Sequence, residues 1–109
     1  MKTLKFRPHL CTQIIAGEKT ATWRLMDDKS LSEGDEIEFV NWETKEVFGT
    51  GTVSQLKVRT LSTLEEADWE GHERFDSEAE MYATYRTYYG NAVNENTEVK
   101  IIDFTFTAI

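Results

Sequence analysis

Glu46-Val47-Phe48-Gly49-Thr50-Gly51-Thr52-Val53-Ser54-Gln55-Leu56-Lys57-Val58-Arg59 is the stretch that decides the fold. It reads as one long strand with two glycines inside it. Paired glycines in a strand interior suggest a bend or a bulge of the kind a curling sheet needs. A phosphate-cradling loop would need a helix directly after the glycines and a different glycine spacing, and neither is present. The long strand therefore belongs to a small, strongly curved barrel.

Working outward, Asn41 to Lys45 makes a hairpin connection back to a half-exposed strand from Glu36 to Trp42, in which Ile37 and Phe39 alternate with acids. Gly34-Asp35 is a turn, and Met26 to Gly34 is polar and loop-like. At the N-terminus Lys2 to Phe6 is a short strand. Pro8 opens a helix that carries Leu10, Cys11, Ile14 and Ile15 and stops at Gly17. A strand from Thr20 to Leu25 follows it. Beyond the long strand, Ser62-Thr63-Leu64-Glu65 and Ser77-Glu78-Ala79-Glu80 are capping-box patterns that predict two more helices. The second carries Met81, Tyr82, Tyr85, Tyr88 and Tyr89 at helical spacing and ends at Gly90. Such an aromatic stripe is either a buried amphipathic face or a platform for stacking bases. A closing strand runs from Glu98 to Thr107. The sum is an α+β domain spanning 1–109, with five or six strands and about three helices packed around a small β-barrel.

Composition narrows the function classes. The chain has 39% hydrophobic and 12% aromatic residues, enough for one compact core. No apolar run approaches the ~20 residues of a membrane span, and the first residues lack the apolar centre of a signal peptide. One cysteine, Cys11, cannot form an internal disulfide, so a cytoplasmic protein with no membrane partner is expected. The net charge of −8 argues against a broad phosphate-tracking surface. Against that background Lys5, Arg7, Lys19 and Arg24 form a positive N-terminal quarter. The acids gather between Asp27 and Glu46 and between Glu65 and Glu80, as a solvated exterior would.

Chemistry concentrates at Gly17-Glu18-Lys19-Thr20-Ala21-Thr22-Trp23-Arg24. With period two, Ala21, Trp23 and Leu25 form an apolar face, while Thr20, Thr22 and Arg24 share the other. A threonine hydroxyl becomes a nucleophile when a base takes its proton, and a desolvated lysine can serve. Arg24 can hold a planar oxygen-bearing group or a phosphate. On a regular strand residues 19 and 22 would point to opposite faces, so Lys19 must lie in the preceding loop. Metal catalysis has little support: His9 and His72 are the only histidines, and no Cys pair or His-x-x-x-His spacing accompanies them. No metal or other cofactor is expected.

The segment from Gly17 through Lys19-Thr20-x-Thr22-x-Arg24, then Gly34-Asp35, Glu70-Gly71 and the hydrophobic closing strand, resembles the ASCH domain family of the PUA-like superfold. The resemblance implies a small β-barrel with helices around its cleft and a link to RNA. Some small bacterial members look like amidohydrolases that remove the acetyl group of 4-acetylcytidine with a Lys, a Thr and a Glu. Carried over by motif, these are Lys19, Thr22 and Glu70, with Glu73 close enough to compete for the acid's place. Thr20 and Arg24 would orient the base or ribose. The expected partner is a modified pyrimidine nucleoside or an RNA. The rival readings are a module that binds modified or single-stranded RNA and a metal-independent ribonuclease.

Overall fold

A computed structural model describes residues 1–25 and 30–109. The described elements are β1 (Lys2–Phe6), α1 (Pro8–Ile15), β2 (Ala21–Leu25), β3 (Glu36–Asn41), β4 (Val47–Thr60), α2 (Glu78–Tyr89), β5 (Glu98–Phe104) and β6 (Thr107–Ala108). The first four positions of the loop expected after β2, 26–29, lie outside the described residues. The strands form one curled sheet in the order β1-β3-β4-β5-β2, with β6 added beside β4. Only the β1–β3 pair is parallel.

β4 makes the curl possible because it serves two neighbours in succession. Its first half pairs with β3 from Val47 to Thr52, and its second half pairs with β5 from Val53 to Thr60. The ladder breaks register between Val53 and Gln55, just where the change of partner occurs. The glycines have a related but separate task. A β-carbon at Gly49 would collide with the Phe106 ring, and one at Gly51 with the Thr105 carbonyl. Only bare backbone lets the chain that enters β6 lie so close.

The curl separates two cores. Inside it, Leu4, Phe6, Ile14, Ile37, Phe39, Val53, Ile102 and Phe104 pack together, with Phe6 stacked on Phe39 at 5.6 Å. On the other face, Trp23, Leu25, Met81, Tyr85, Val99 and Ile101 bury the inner side of α2. α2 starts where its capping box predicts, because the Ser77 hydroxyl accepts the Glu80 N–H at 3.1 Å. It stops at Gly90, whose φ of 99° suits glycine.

There are two α-helices among the described residues, not three. The stretch after β4 forms two short 3₁₀ turns instead, Leu61–Thr63 and Glu66–Trp69. Its polar side chains bond back onto their own turns: Thr63 Oγ1 accepts the Thr60 N–H, and Asp68 accepts the Glu65 N–H. Local bonding of this kind competes with a continuing helix. Asp68 is also fully buried and receives Lys57 at 2.8 Å and Arg59 at 3.1 Å from β4. Burial alone would raise its carboxyl, but the Lys57, Glu65 and Arg59 hydrogen bonds hold it below the ordinary value. Asp68→Asn should therefore cost about 2 kcal/mol, read as a lower urea midpoint with an unchanged slope. An unchanged midpoint would mean that the two cations do not anchor this segment.

No helix among the described residues is long and apolar enough to cross a membrane.

Candidate functional site

A curled sheet that does not close leaves a seam between its two edge strands, here β1 and β2. A cleft of about 330 Å³ opens along that seam. Its walls come from the end of β1, the middle of β2, the 72–75 segment and α2. This is the small end of the range for organic ligands, enough for one nucleoside-sized molecule.

β2 splits its residues as period two requires. Trp23 and Leu25 enter the second core, from which Trp23 also reaches the cleft, while Thr22 and Arg24 belong to the opposite face and line the cleft. Thr22 is buried, and its hydroxyl has no hydrogen bond among the described residues. Arg24 reaches across the seam: Nη2 donates to the Lys5 carbonyl at 2.9 Å, and the guanidinium lies 4.8 Å from the Phe6 ring centre. Its Nε is buried without a partner among the described residues.

Lys19 does not sit on β2. The helix ends through Gly17 at φ 79°, and the Lys19 N–H bonds back to the Gln13 carbonyl at 3.2 Å. From that turn its ammonium enters the protein, 2% exposed, and meets Glu73 Oε2 at 2.6 Å. Burial lowers the Lys19 pKa, and Glu73 restores part of the loss. Burial alone would raise the Glu73 carboxyl, but His72 and Lys19 more than offset it and the net direction is down. Glu73 lines the cleft, with Lys19 behind it.

His72, which no motif in the sequence singles out, is buried at this site. Its ring stacks on Trp23 at 4.1 Å and 18°. Nδ1 lies 2.7 Å from the Glu73 backbone carbonyl, which can only accept, so Nδ1 carries the proton. Nε2 then accepts from the Tyr85 hydroxyl at 3.4 Å. Burial, with Lys19 adding to it, pushes the His72 pKa down to about 4. The ring is neutral at pH 7, so there the positive charge facing Glu73 is that of Lys19. Nε2, an acceptor in this tautomer, stands 3.5 Å from Glu73 Oε1 and donates nothing to it. The signal that could have found it is its position next to Glu73, in a chain with so few histidines.

The residues singled out in the sequence therefore fall into two groups. Lys19 and Glu73 are paired, and Thr22, Arg24 and Glu73 share the cleft. Glu70 is exposed, faces Asp103 electrostatically, and does not line the cleft. Thr20 is also exposed; it works through its backbone, whose N–H bonds to the Gly71 carbonyl at 2.8 Å. The Gly-x-Glu spacing matters because Gly71, at φ 72°, pins the 72–73 segment against the start of β2. A β-carbon there would collide with Thr20 Oγ1. Gly71→Ala should cost about 2 kcal/mol through its strained backbone and displace Glu73 from Lys19. A variant of wild-type stability would show that this close approach is not required.

On α2, Tyr85 is buried against Trp23 while Tyr88 and Tyr89 also edge the cleft. The aromatic stripe is both a core face and part of the wall. Among the described residues no cluster of His, Cys, Asp and Glu could hold a metal ion.

This arrangement, a curled mixed α+β sheet with its cleft at the open seam, is similar in fold to solved ASCH domain structures. An ASCH domain from Lactobacillus crispatus superposes with a TM-score of 0.68 at 16% identity, covering 93% of this chain and 72% of that one. The ASCH protein of Zymomonas mobilis gives 0.63 at 21% identity, covering 94% and 65%. A hypothetical protein of similar length gives 0.74 at 24% identity, covering 98% and 100%. At these identities the likeness is one of fold. No family model matches the sequence, and no curated protein matches it.

Proposed function

We propose that the cleft hydrolyses the amide of an N-acylated pyrimidine nucleoside of the 4-acetylcytidine type. The observation that carries this reading is the buried Lys19–Glu73 pair, which presents a fixed carboxylate to the cleft that Thr22 also lines. Glu73, rather than Glu70, takes the part of the acid, because Glu73 reaches both Lys19 and the cleft.

In this scheme Thr22 Oγ1 attacks the acyl carbonyl while its proton passes to the Glu73 carboxylate. The C–N bond breaks, and the same proton goes to the leaving exocyclic nitrogen, which departs as the amine of cytidine. Water, deprotonated by Glu73, then cleaves the Thr22 ester and releases the carboxylic acid. Lys19 keeps Glu73 ionised and in place between turns. Arg24, with its unused buried Nε, faces the carbonyl oxygen or the ribose. The fold likeness to ASCH domains is consistent with this chemistry and with RNA recognition.

Incubation with 4-acetylcytidine, followed chromatographically, should yield cytidine. Thr22→Val should reduce the rate by at least about a hundredfold while leaving the fold intact. Absence of cytidine from the wild-type reaction, or full turnover by Thr22→Val, would overturn the assignment. Salt-sensitive RNA binding without turnover would favour the binding module, and shortened RNA fragments under chelation the ribonuclease.

A further inference from the structure

We propose that the mouth of the cleft is a phosphate subsite, so that the preferred ligand is a pyrimidine nucleoside phosphate rather than the neutral nucleoside. The pyrimidine part rests on the reading above; the phosphate part rests on charge. The chain holds 12 Lys and Arg against 20 Asp and Glu. The cleft inverts that balance: Lys5, Arg7 and Arg24 line it, and Glu73, already paired with Lys19, is the one carboxylate there among the described residues.

Arginines elsewhere in the chain are occupied. Arg59 is bound to Asp68, Arg74 to Glu66, and Arg86 donates to the Val93 carbonyl. Arg7 in the cleft is held by rings instead. The Arg7 guanidinium lies 4.4 Å from the Trp42 ring centre and 5.0 Å from that of Tyr88. No carboxylate or carbonyl receives its N–H groups among the described residues. Two aromatic faces fix the plane of the guanidinium and leave its edge free, the arrangement that suits a bidentate phosphate. Arg24 also lies over a ring, that of Phe6; its Nη2 is taken by the Lys5 carbonyl, and its Nε is buried with no partner among the described residues. The first turn of α1, which His9 brings to the same wall, contains no acid that would repel an anion.

Trp42 and Tyr88 are 46% and 42% exposed, so Arg7 stands at the solvent side of the cleft, whereas Thr22 is buried. A base set against Thr22 and Glu73 would leave its ribose phosphate near Arg7. A mononucleotide and the terminal nucleotide of an RNA strand both present that group.

Calorimetric titration with cytidine, cytidine 5′-monophosphate and a short oligocytidylate separates these cases. The monophosphate should bind about tenfold more tightly than cytidine at low salt, and the ratio should fall as salt rises. Arg7→Gln should bring the ratio towards one, whereas Arg74→Gln, outside the cleft, should leave it as it is. An oligonucleotide no tighter than the monophosphate assigns a free nucleotide, and a further gain assigns a strand; both uphold the subsite. Equal affinity for cytidine and its monophosphate, or an advantage that survives Arg7→Gln, overturns it. The acetylcytidine assay tests the other reading separately: turnover with equal affinities sinks the subsite alone. A phosphate preference without turnover sinks the hydrolase alone, and no binding by any of the three sinks both.

Discussion

Glu73→Gln should lose about 3 kcal/mol of stability and at least about a hundredfold in turnover, and the two losses have different causes. The first comes from Lys19. Its side chain is 1% exposed, and Glu73 is its one hydrogen-bond partner among the described residues. Removing the negative charge leaves an ammonium in a dry site. The ammonium can shed its proton, since burial already lowers its pKa, and that escape limits the cost. The second loss comes from the cleft, where an amide cannot accept or deliver the proton of the acyl transfer. A double variant separates them. Lys19→Met combined with Glu73→Gln removes both charges, so urea unfolding should show most of the stability restored while turnover stays absent. A double variant as unstable as the single one would mean that Lys19 and Glu73 are not coupled. A single variant with full activity would remove Glu73 from the mechanism.

Acid should weaken the protein through His72 before it affects the carboxylates. The folded state holds this ring at a pKa of about 4, against 6.5 for an ordinary histidine. Between those values the unfolded chain binds a proton that the folded chain refuses, so stability falls as pH falls. The loss begins near pH 6.5 and is complete below about pH 4. The interval corresponds to about 3 kcal/mol. Asp35, Asp68 and Glu73, whose carboxyls sit below their ordinary values in the fold, withdraw their contributions at lower pH still. Asp103, raised chiefly by burial, acts in the opposite sense. Unfolding free energies measured from pH 7 to pH 4 should therefore slope downward for the wild type and stay nearly flat for His72→Gln. An equal slope in both would mean that His72 is not the group that charges.

Local signals were enough for much of the fold. Pro8, Gly17, Ser77 and Gly90 bound their helices because each acts on the backbone within a few residues. The long β4 strand was visible from its β-branched run and its glycines, though what the glycines do depends on Thr105 and Phe106, more than 50 residues away. The 3₁₀ turns after β4 were not legible. Whether Asp68 caps a helix or turns inward depends on Lys57 and Arg59 lying beneath it, which only the folded sheet decides. The same limit applies to the site. Thr22 and Arg24 mark one wall, since a strand alternates its faces. The choice between Glu70 and Glu73 turns on a positive-φ glycine and a backbone contact to Thr20, neither of which periodicity can register. His72 escaped for a similar reason, because its partners Trp23 and Tyr85 come from β2 and α2.

The most direct measurement is a crystal structure with cytidine bound. If the seam of the barrel is where acyl transfer happens, the pyrimidine ring will lie in it, with its exocyclic nitrogen within hydrogen-bonding distance of the Glu73 carboxylate and pointing towards Thr22 Oγ1, leaving room between the two for the acyl carbon. Cytidine bound on another surface, or in the seam with its exocyclic nitrogen turned to solvent and away from Thr22, would contradict the account.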